Sequence, residues 1–304
     1  MSASMVNVSL LQRFVAGFSG GFVLAFHEIS AERLAELVDS LRPAEPIHLS
    51  ELVKRSRERK STSGLLAITV DDGVGENVRT LAQLASSRAW PITFYLPTQY
   101  LDTGEPMIFQ WWRLLKPLLP QRRLELKSGV VDLCPPGSIE EMSRKMELQW
   151  HSQRLESYLP LTMELVEIVL NEGGLTKSDI RPAPPITWPE VTGLSRNDLI
   201  RFESHGVSHV AMSSLTGEEV ALEMKRSRDT VTEHTGRECR HLAYPFGNWQ
   251  SIGARAVATA ARFYDSAVTM SLGHVDFAHP WLLPRIPLYP ENSTLFARLK
   301  ILLK

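Results

Sequence analysis

The sequence predicts an α/β protein built on parallel strands, and three observations carry that expectation. Short apolar, β-branched runs alternate along the chain with amphipathic segments of helical period. Three of the runs end in loops shaped by Gly and Pro, and two of these loops carry Asp or His, polar groups that a core would not accept without a task. A chain of 304 residues with 43% hydrophobic content can fill one full core as an open sheet or a barrel. The balance of 33 Lys+Arg against 34 Asp+Glu lacks the basic excess of a nucleic-acid binder. Composition also excludes a disordered, collagenous or disulfide-stapled chain.

Taken in order, Phe22 to Phe26 reads as a buried strand running into His27. The longer apolar stretch that contains it, from Phe14, is too short and glycine-interrupted to span a bilayer, which takes about 20 apolar residues. It also lacks a Lys/Arg-rich leader, so neither a transmembrane segment nor a secretory signal is expected. Cys134 and Cys239 form no CxxC pair and fit a reducing compartment; the expected location is cytoplasmic. The basic run Lys54–Lys60 reads as a solvated helix end. Leu65–Val70 is a strand, Asp71-Asp72-Gly73 a turn, Glu76–Arg88 a helix, and Pro91–Leu96 the next strand, a parallel βαβ unit.

From Leu101 to Pro189 the pattern changes. Helical stretches near Ile139–Tyr158 and Thr162–Leu170 and the Pro-rich link Arg181–Pro185 predict a mostly helical insertion. The β-loop-α logic then returns: a strand at Leu199–Glu203, and a helix opened by the capping box Thr216–Glu219 and stopped at Gly236. A strand near Arg240–Ala243 follows, then the loop Tyr244–Trp249, a helix from about Ile252 to Arg262, and strands at Ser266–Thr269 and Leu283–Pro287. Residues 1–304 are read as one domain, with the insertion at about 101–189.

Three loops hold the candidate chemistry. Adjacent residues on an extended chain point to opposite sides, so Asp71 and Asp72 can take different tasks, one as ligand and one as base. His205 and His209, four apart in SHGVSH, can converge on one ion or simply sit in a loop. Tyr244-Pro-Phe-Gly247 can present a backbone N–H to a pocket or form a packed turn.

The order TVDDG, SHGVSH, AYPFG resembles the polysaccharide deacetylase (NodB-homology) family of metal-dependent carbohydrate N-deacetylases. Ala25-Phe-His27-Glu resembles a strand end found in the members associated with exopolysaccharide synthesis. Trp111-Trp112 and Ile186–Glu190 resemble their insertion, and Leu283-Pro-Arg-Ile286 their last core strand. The resemblance covers about residues 22–290 and implies a distorted (β/α)7-type NodB-like barrel, with its site at the carboxyl ends of the strands.

It also implies roles. Asp72, His205 and His209 would hold a divalent metal, most readily Zn2+; Asp71 would be the general base; the Phe246 N–H would donate to the oxyanion. Three departures stand out. Gly206 replaces a Ser/Thr whose hydroxyl would brace the loop. Ala243 stands where many relatives have an arginine that orients the base, a role assigned to Arg285. No C-terminal Leu-x-[Leu/Ile]-His motif is evident, so the acid is assigned to His27, with His279 in reserve.

The implied substrate is an N-acetylated sugar or glycan, taken as a cytoplasmic precursor and, in one form, lipid-linked. Trp111, Trp112, Arg113, Lys116, Arg122 and Arg123 of the insertion are candidates for one wall of its site, although Trp111 and Trp112 can equally pack the insertion onto the barrel; Trp249 is the better candidate for stacking on a sugar face. Two other readings use the same residues: a metal amidase or deformylase on a small molecule, and an inactive barrel that only binds glycan.

Overall fold

The computed structural model describes residues 20–127, 129–273 and 278–293; the apolar stretch before Gly20 lies outside them. In chain order the first elements are β1 (Phe22–Phe26), α1 (Ala31–Asp39), β2 (Glu45–Pro46), α2 (Leu49–Arg57), β3 (Leu65–Val70), α3 (Gly75–Arg88), β4 (Ile92–Leu96) and α4 (Thr98–Thr103). A second stretch holds α5 (Ile108–Leu115), β5 (Arg123–Leu126), β6 (Gly129–Asp132), α6 (Ser138–Trp150) and α7 (Leu155–Gly173). The chain then continues through α8 (Trp188–Leu194), β7 (Ile200–Ser204), α9 (Gly217–Thr235), β8 (His241–Ala243), α10 (Trp249–Phe263), β9 (Ser266–Val268) and β10 (Ile286–Pro287).

The main strands form one parallel sheet in the order β10-β1-β3-β4-β7-β8-β9, with β2 paired beside β3. Both edges meet the same C-terminal segment. Leu283 bridges to Val268 at one edge, while Ile286 and Pro287 pair with Leu24 and Ala25 at the other. The sheet is thus curled into the expected distorted barrel, closed by the stretch that carries Arg285.

Period-two alternation sorts the strand residues into two cores. Phe22, Leu24, Phe26, Ile68, Val70, Phe94 and Phe202 pack outward under the helices, while Val23, Ala67, Tyr95, Ala243, Val268 and Leu283 form a separate inner cluster. Leu49, Leu52 and Val53 of α2 join that inner cluster. The predicted basic helix end is the last turn of α2, where Lys54, Arg55 and Arg57 suit the negative end of the helix dipole. The capping box of α9 is present, Thr216 N–H donating to Glu219 Oε2 at 2.8 Å, and Gly236 ends the helix in the left-handed conformation.

The stretch between β4 and β7 departs from the sequence expectation in two details. It holds an antiparallel hairpin, β5–β6, as well as helices. Its helical run breaks at residues 151–154, because Arg154 adopts an extended N-cap conformation, and α7 then continues through Pro160. Trp111, Trp112, Leu115, Met146, Tyr158, Leu165 and Val166 give this stretch its own hydrophobic cluster. Among the described residues, no helix is long and apolar enough to cross a membrane.

Candidate active site

The adjacent aspartates at the end of β3 part company. The Asp71 N–H still donates to Phe26 O at 2.9 Å, extending the pairing with β1, whereas Asp72 turns at a φ of 75°. Asp71 meets Arg285 in a bidentate pair, Nη1 to Oδ1 and Nη2 to Oδ2 both at 2.7 Å. Arg285 is itself wholly buried and satisfied: Nε donates to Thr269 O, Nη1 also reaches Thr69 Oγ1, and its guanidinium lies 5.7 Å from the Tyr95 ring centroid. Burial alone would raise the Asp71 pKa, but the Arg285 charge, helped by His205, outweighs it and holds the carboxyl well below the usual range.

Asp72 has no such cation, and burial pushes its pKa up. Its Oδ1 makes no hydrogen bond among the described residues. His205 Nε2 lies 3.6 Å and His209 Nε2 3.7 Å from that oxygen, and one donor atom from each of the three side chains falls within 4.8 Å of the others. Two donors on a tetrahedral ion at about 2.1 Å would sit about 3.4 Å apart, so these spacings fit a divalent metal after small adjustment. The state of the imidazoles fits as well. His205 donates Nδ1–H to Ala243 O at 2.7 Å, which leaves the Nε2 lone pair facing Asp72. Burial lowers the pKa of both His205 and His209, favouring the neutral, ligating form.

Backbone geometry sets these rings. The His205 N–H donates to Leu96 O at 3.0 Å, then Gly206 at φ 76° and His209 at φ 53° bend the loop back. The brace expected from a hydroxyl after His205 comes instead from Glu223 of α9. Glu223 Oε2 accepts the N–H groups of Val207 (2.7 Å) and Ser208 (3.1 Å), and Oε1 accepts the Ser208 hydroxyl (2.8 Å). A Cβ on Gly206 would stand 3.3 Å from Glu223 Oε2, so the carboxylate fills the space the missing side chain leaves. In the third loop Phe246 adopts φ 61°, and its N–H has no hydrogen-bond partner among the described residues. Gly247 follows at φ 67°, where a Cβ would come within 2.7 Å of the Met270 backbone nitrogen.

These groups open on one cavity of about 690 Å³, within the usual range for small-ligand pockets. His27, Asp71, Asp72, His205, His209 and Phe246 all line it. His279 does not; it is exposed in the turn beside residues 274–277, which lie outside the described residues. Trp111 and Trp112 are not wall residues either: both are buried in the cluster between β4 and β7, with Trp112 Nε1 bonded to Ser143 Oγ at 3.0 Å. Of the basic candidates only Arg113 lines the cavity, paired with Glu28 at 2.8 Å, while Arg122 and Arg123 border a different hollow and Lys116 borders neither. Trp249 is exposed at the start of α10 and is absent from the lining. The wall is formed instead by Phe109, Glu147, Trp150 and His151, none of which the sequence marked.

Residues 58–263 match the sequence profile described as polysaccharide deacetylase. That span includes the three loops and excludes His27 and Arg285. A search of curated protein sequences finds no significant match. Among solved structures, a Streptococcus pyogenes deacetylase, PplD, in complex with acetate superposes with a TM-score of 0.60 at 13% identity, covering 91% of this chain and 96% of that one. A de-N-acetylase from Aggregatibacter actinomycetemcomitans gives 0.58 at 12%, covering 92% and 99%. IcaB from Ammonifex degensii gives 0.56 at 13%, covering 92% and 98%. At these identities the likeness is one of fold.

Proposed function

The chain belongs to the polysaccharide deacetylase family, and from that premise we propose that it is a divalent-metal-dependent N-deacetylase acting on an N-acetylhexosamine unit of a polysaccharide or glycan precursor. The observation that carries this reading is the convergence of Asp72, His205 and His209 around an orphaned carboxylate oxygen, beside a second carboxylate locked onto an arginine.

The assigned roles follow from chemistry. Asp72, His205 and His209 would hold the cation, and three protein ligands leave an open position for water and substrate. The chemistry a divalent ion such as zinc would supply there is positive charge for the carbonyl oxygen and acidification of a water towards a pKa of about 7. Asp71, kept ionised by Arg285, accepts the proton as water attacks the acetamide carbon. The bidentate pair also fixes the carboxylate plane, so Arg285 acts as the positioning residue for the base. The free Phe246 N–H donates to the developing oxyanion, a contribution that typically amounts to about 3 kcal/mol. His27, at the end of β1 and on the cavity wall, delivers the proton to the departing amine. The products are acetate and a sugar bearing a free amine.

The whole chain is read as one deacetylase unit, with the stretch between β4 and β7 as an insertion that shapes the cavity mouth. His27 aligns this unit with the exopolysaccharide-synthesis branch, and two free cysteines, Cys134 and Cys239, suit a reducing compartment. A panel of N-acetylated sugar oligomers, nucleotide sugars and cyclic amides tests the reading, with free amine and acetate as the readout. Amine release from the sugar oligomers, lost on chelation, is the expected result. Turnover of the cyclic amides alone would replace it with the small-molecule amidase reading.

A further inference from the structure

His151 lies at the end of α6, half-buried on the cavity wall, and plays no part in the reaction as derived above. Its tautomer can be read from its neighbours. Asn248 is the N-cap of α10, and its Oδ1 accepts both the Ser251 N–H (2.9 Å) and the Ser251 hydroxyl (3.0 Å). That commitment fixes which end of the amide is oxygen, so its Nδ2–H₂ is the group that faces His151 Nδ1 at 3.1 Å. Nδ1 must therefore accept, and the imidazole proton sits on Nε2, on the opposite edge of the ring. Protonating Nδ1 would set a donor against a donor.

The ring's place follows from an aromatic series. The His205 and His209 centroids are 4.7 Å apart, His209 and Phe246 4.8 Å, and Phe246 and His151 4.7 Å. Phe246 thus contacts both His151 and the metal-site imidazole of His209, and all three rings line the same cavity, so His151 faces the space open to the substrate beside the loop assigned to the oxyanion. Its companions on the same helix end complement it. Glu147, one turn earlier, brings an exposed carboxylate acceptor, and Trp150 brings its ring, with the indole N–H closed off from solvent. Phe109 packs against both Trp150 and His209. One donor, one acceptor and an aromatic floor match a ring bearing several hydroxyls.

We infer that the last turn of α6 is a recognition wall for the hydroxyl groups of the sugar that carries the acetamide, with His151 Nε2–H as its principal donor. This rests on the deacetylase reading and adds which residues select a sugar over other acetylated compounds. His151 is a specificity residue that contacts the ring and does not touch the cation.

The test compares kcat/KM for N-acetylglucosamine oligomers, in both β-1,4 and β-1,6 linkage, with kcat/KM for 4-nitrophenyl acetate, which has an acetyl group and no sugar. His151→Ala should lower the sugar-to-ester ratio about ten-fold, mainly through KM, the scale of one lost hydrogen bond. His151→Gln, which keeps an N–H near the Nε2 position, should restore most of the ratio. Metal content, measured alongside, should match the parent in both variants. A parent-like ratio in His151→Ala, or an equal loss on both substrates, overturns the inference and leaves the deacetylase reading standing. A parent that cleaves the ester and none of the sugar oligomers overturns both.

Discussion

The barrel and the stretch inserted between β4 and β7 hold their cavity residues in different ways. On the barrel side Asp71, Asp72, His205, His209 and Arg285 are all buried, and most are locked by partners of their own: Asp71 by Arg285, His205 by Ala243 O, and the 207–208 loop by Glu223. On the inserted side Arg113 and Glu147 are exposed, and the stretch packs on a cluster of its own around Trp111, Trp112, Leu165 and Val166. The groups assigned to bond breaking are thus coupled to the main fold. The groups assigned to ligand recognition ride on a stretch with a cluster of its own, which meets the barrel through Phe109 on His209, Phe246 on His151 and the Asn248–His151 hydrogen bond.

That contrast orders the expected effects of substitution. His205→Ala, at the barrel end, should abolish metal retention and reduce deacetylation on the order of 10³-fold or more, the scale expected when the main charge stabilisation is lost. Elemental analysis of the purified variant, beside an amine-release assay, measures both. Arg285→Met should leave Asp71 buried without its cation and destabilise the fold by about 3–5 kcal/mol.

The pH dependence of that variant has a definite sign. In the parent, the Asp71 pKa lies below its unfolded value of about 3.9, so its contribution is present above that pH and fades only as the pH falls. With the Arg285 charge gone, burial acts to raise that pKa. The folded state then holds the proton longer than the unfolded chain does, so stability falls as pH rises. Urea unfolding at pH 4 and pH 8 should show the larger penalty at pH 8; an equal penalty would break the claim that this pair is the coupling point.

Glu223→Ala should be milder. It removes the brace behind His205 and His209 without removing a ligand, and a loss of metal affinity of about 10- to 100-fold is expected in a competition titration. Smallest at the reacting centre should be Trp112→Ala on the inserted side. It opens a cavity in the separate cluster and frees Ser143, costing about 3–5 kcal/mol locally, and should lower sugar turnover while metal content stays that of the parent. Loss of metal from that variant would show that the two regions are more tightly coupled than their separate cores indicate.

The sequence made one of these regions far more legible than the other. The barrel strands announce themselves as apolar runs, and TVDDG, SHGVSH and AYPFG each end one of them, so the three loops could be found from pattern alone. Arg285 was reachable because its strand resembles a family segment, although its meeting with Asp71 depends on the closing of the sheet. Glu223 was not legible: it is one of several acidic residues on α9, and only the packing of that helix brings it over Gly206. The inserted wall was misread for a related reason. Trp111-Trp112 could be a binding feature or packing from pattern alone; a region with its own core needs large apolar residues inside, and both serve there. Trp150 and His151 sit at a helix break that ends at the extended Arg154, which no local periodicity marks.

The most direct test of the central claim is amine release from N-acetylglucosamine oligomers by the parent protein before metal removal, after removal, and after refilling with zinc. The account predicts about one divalent ion per chain at the start, loss of activity with the ion, and recovery on refilling. Undiminished amine release from the metal-free protein would contradict it.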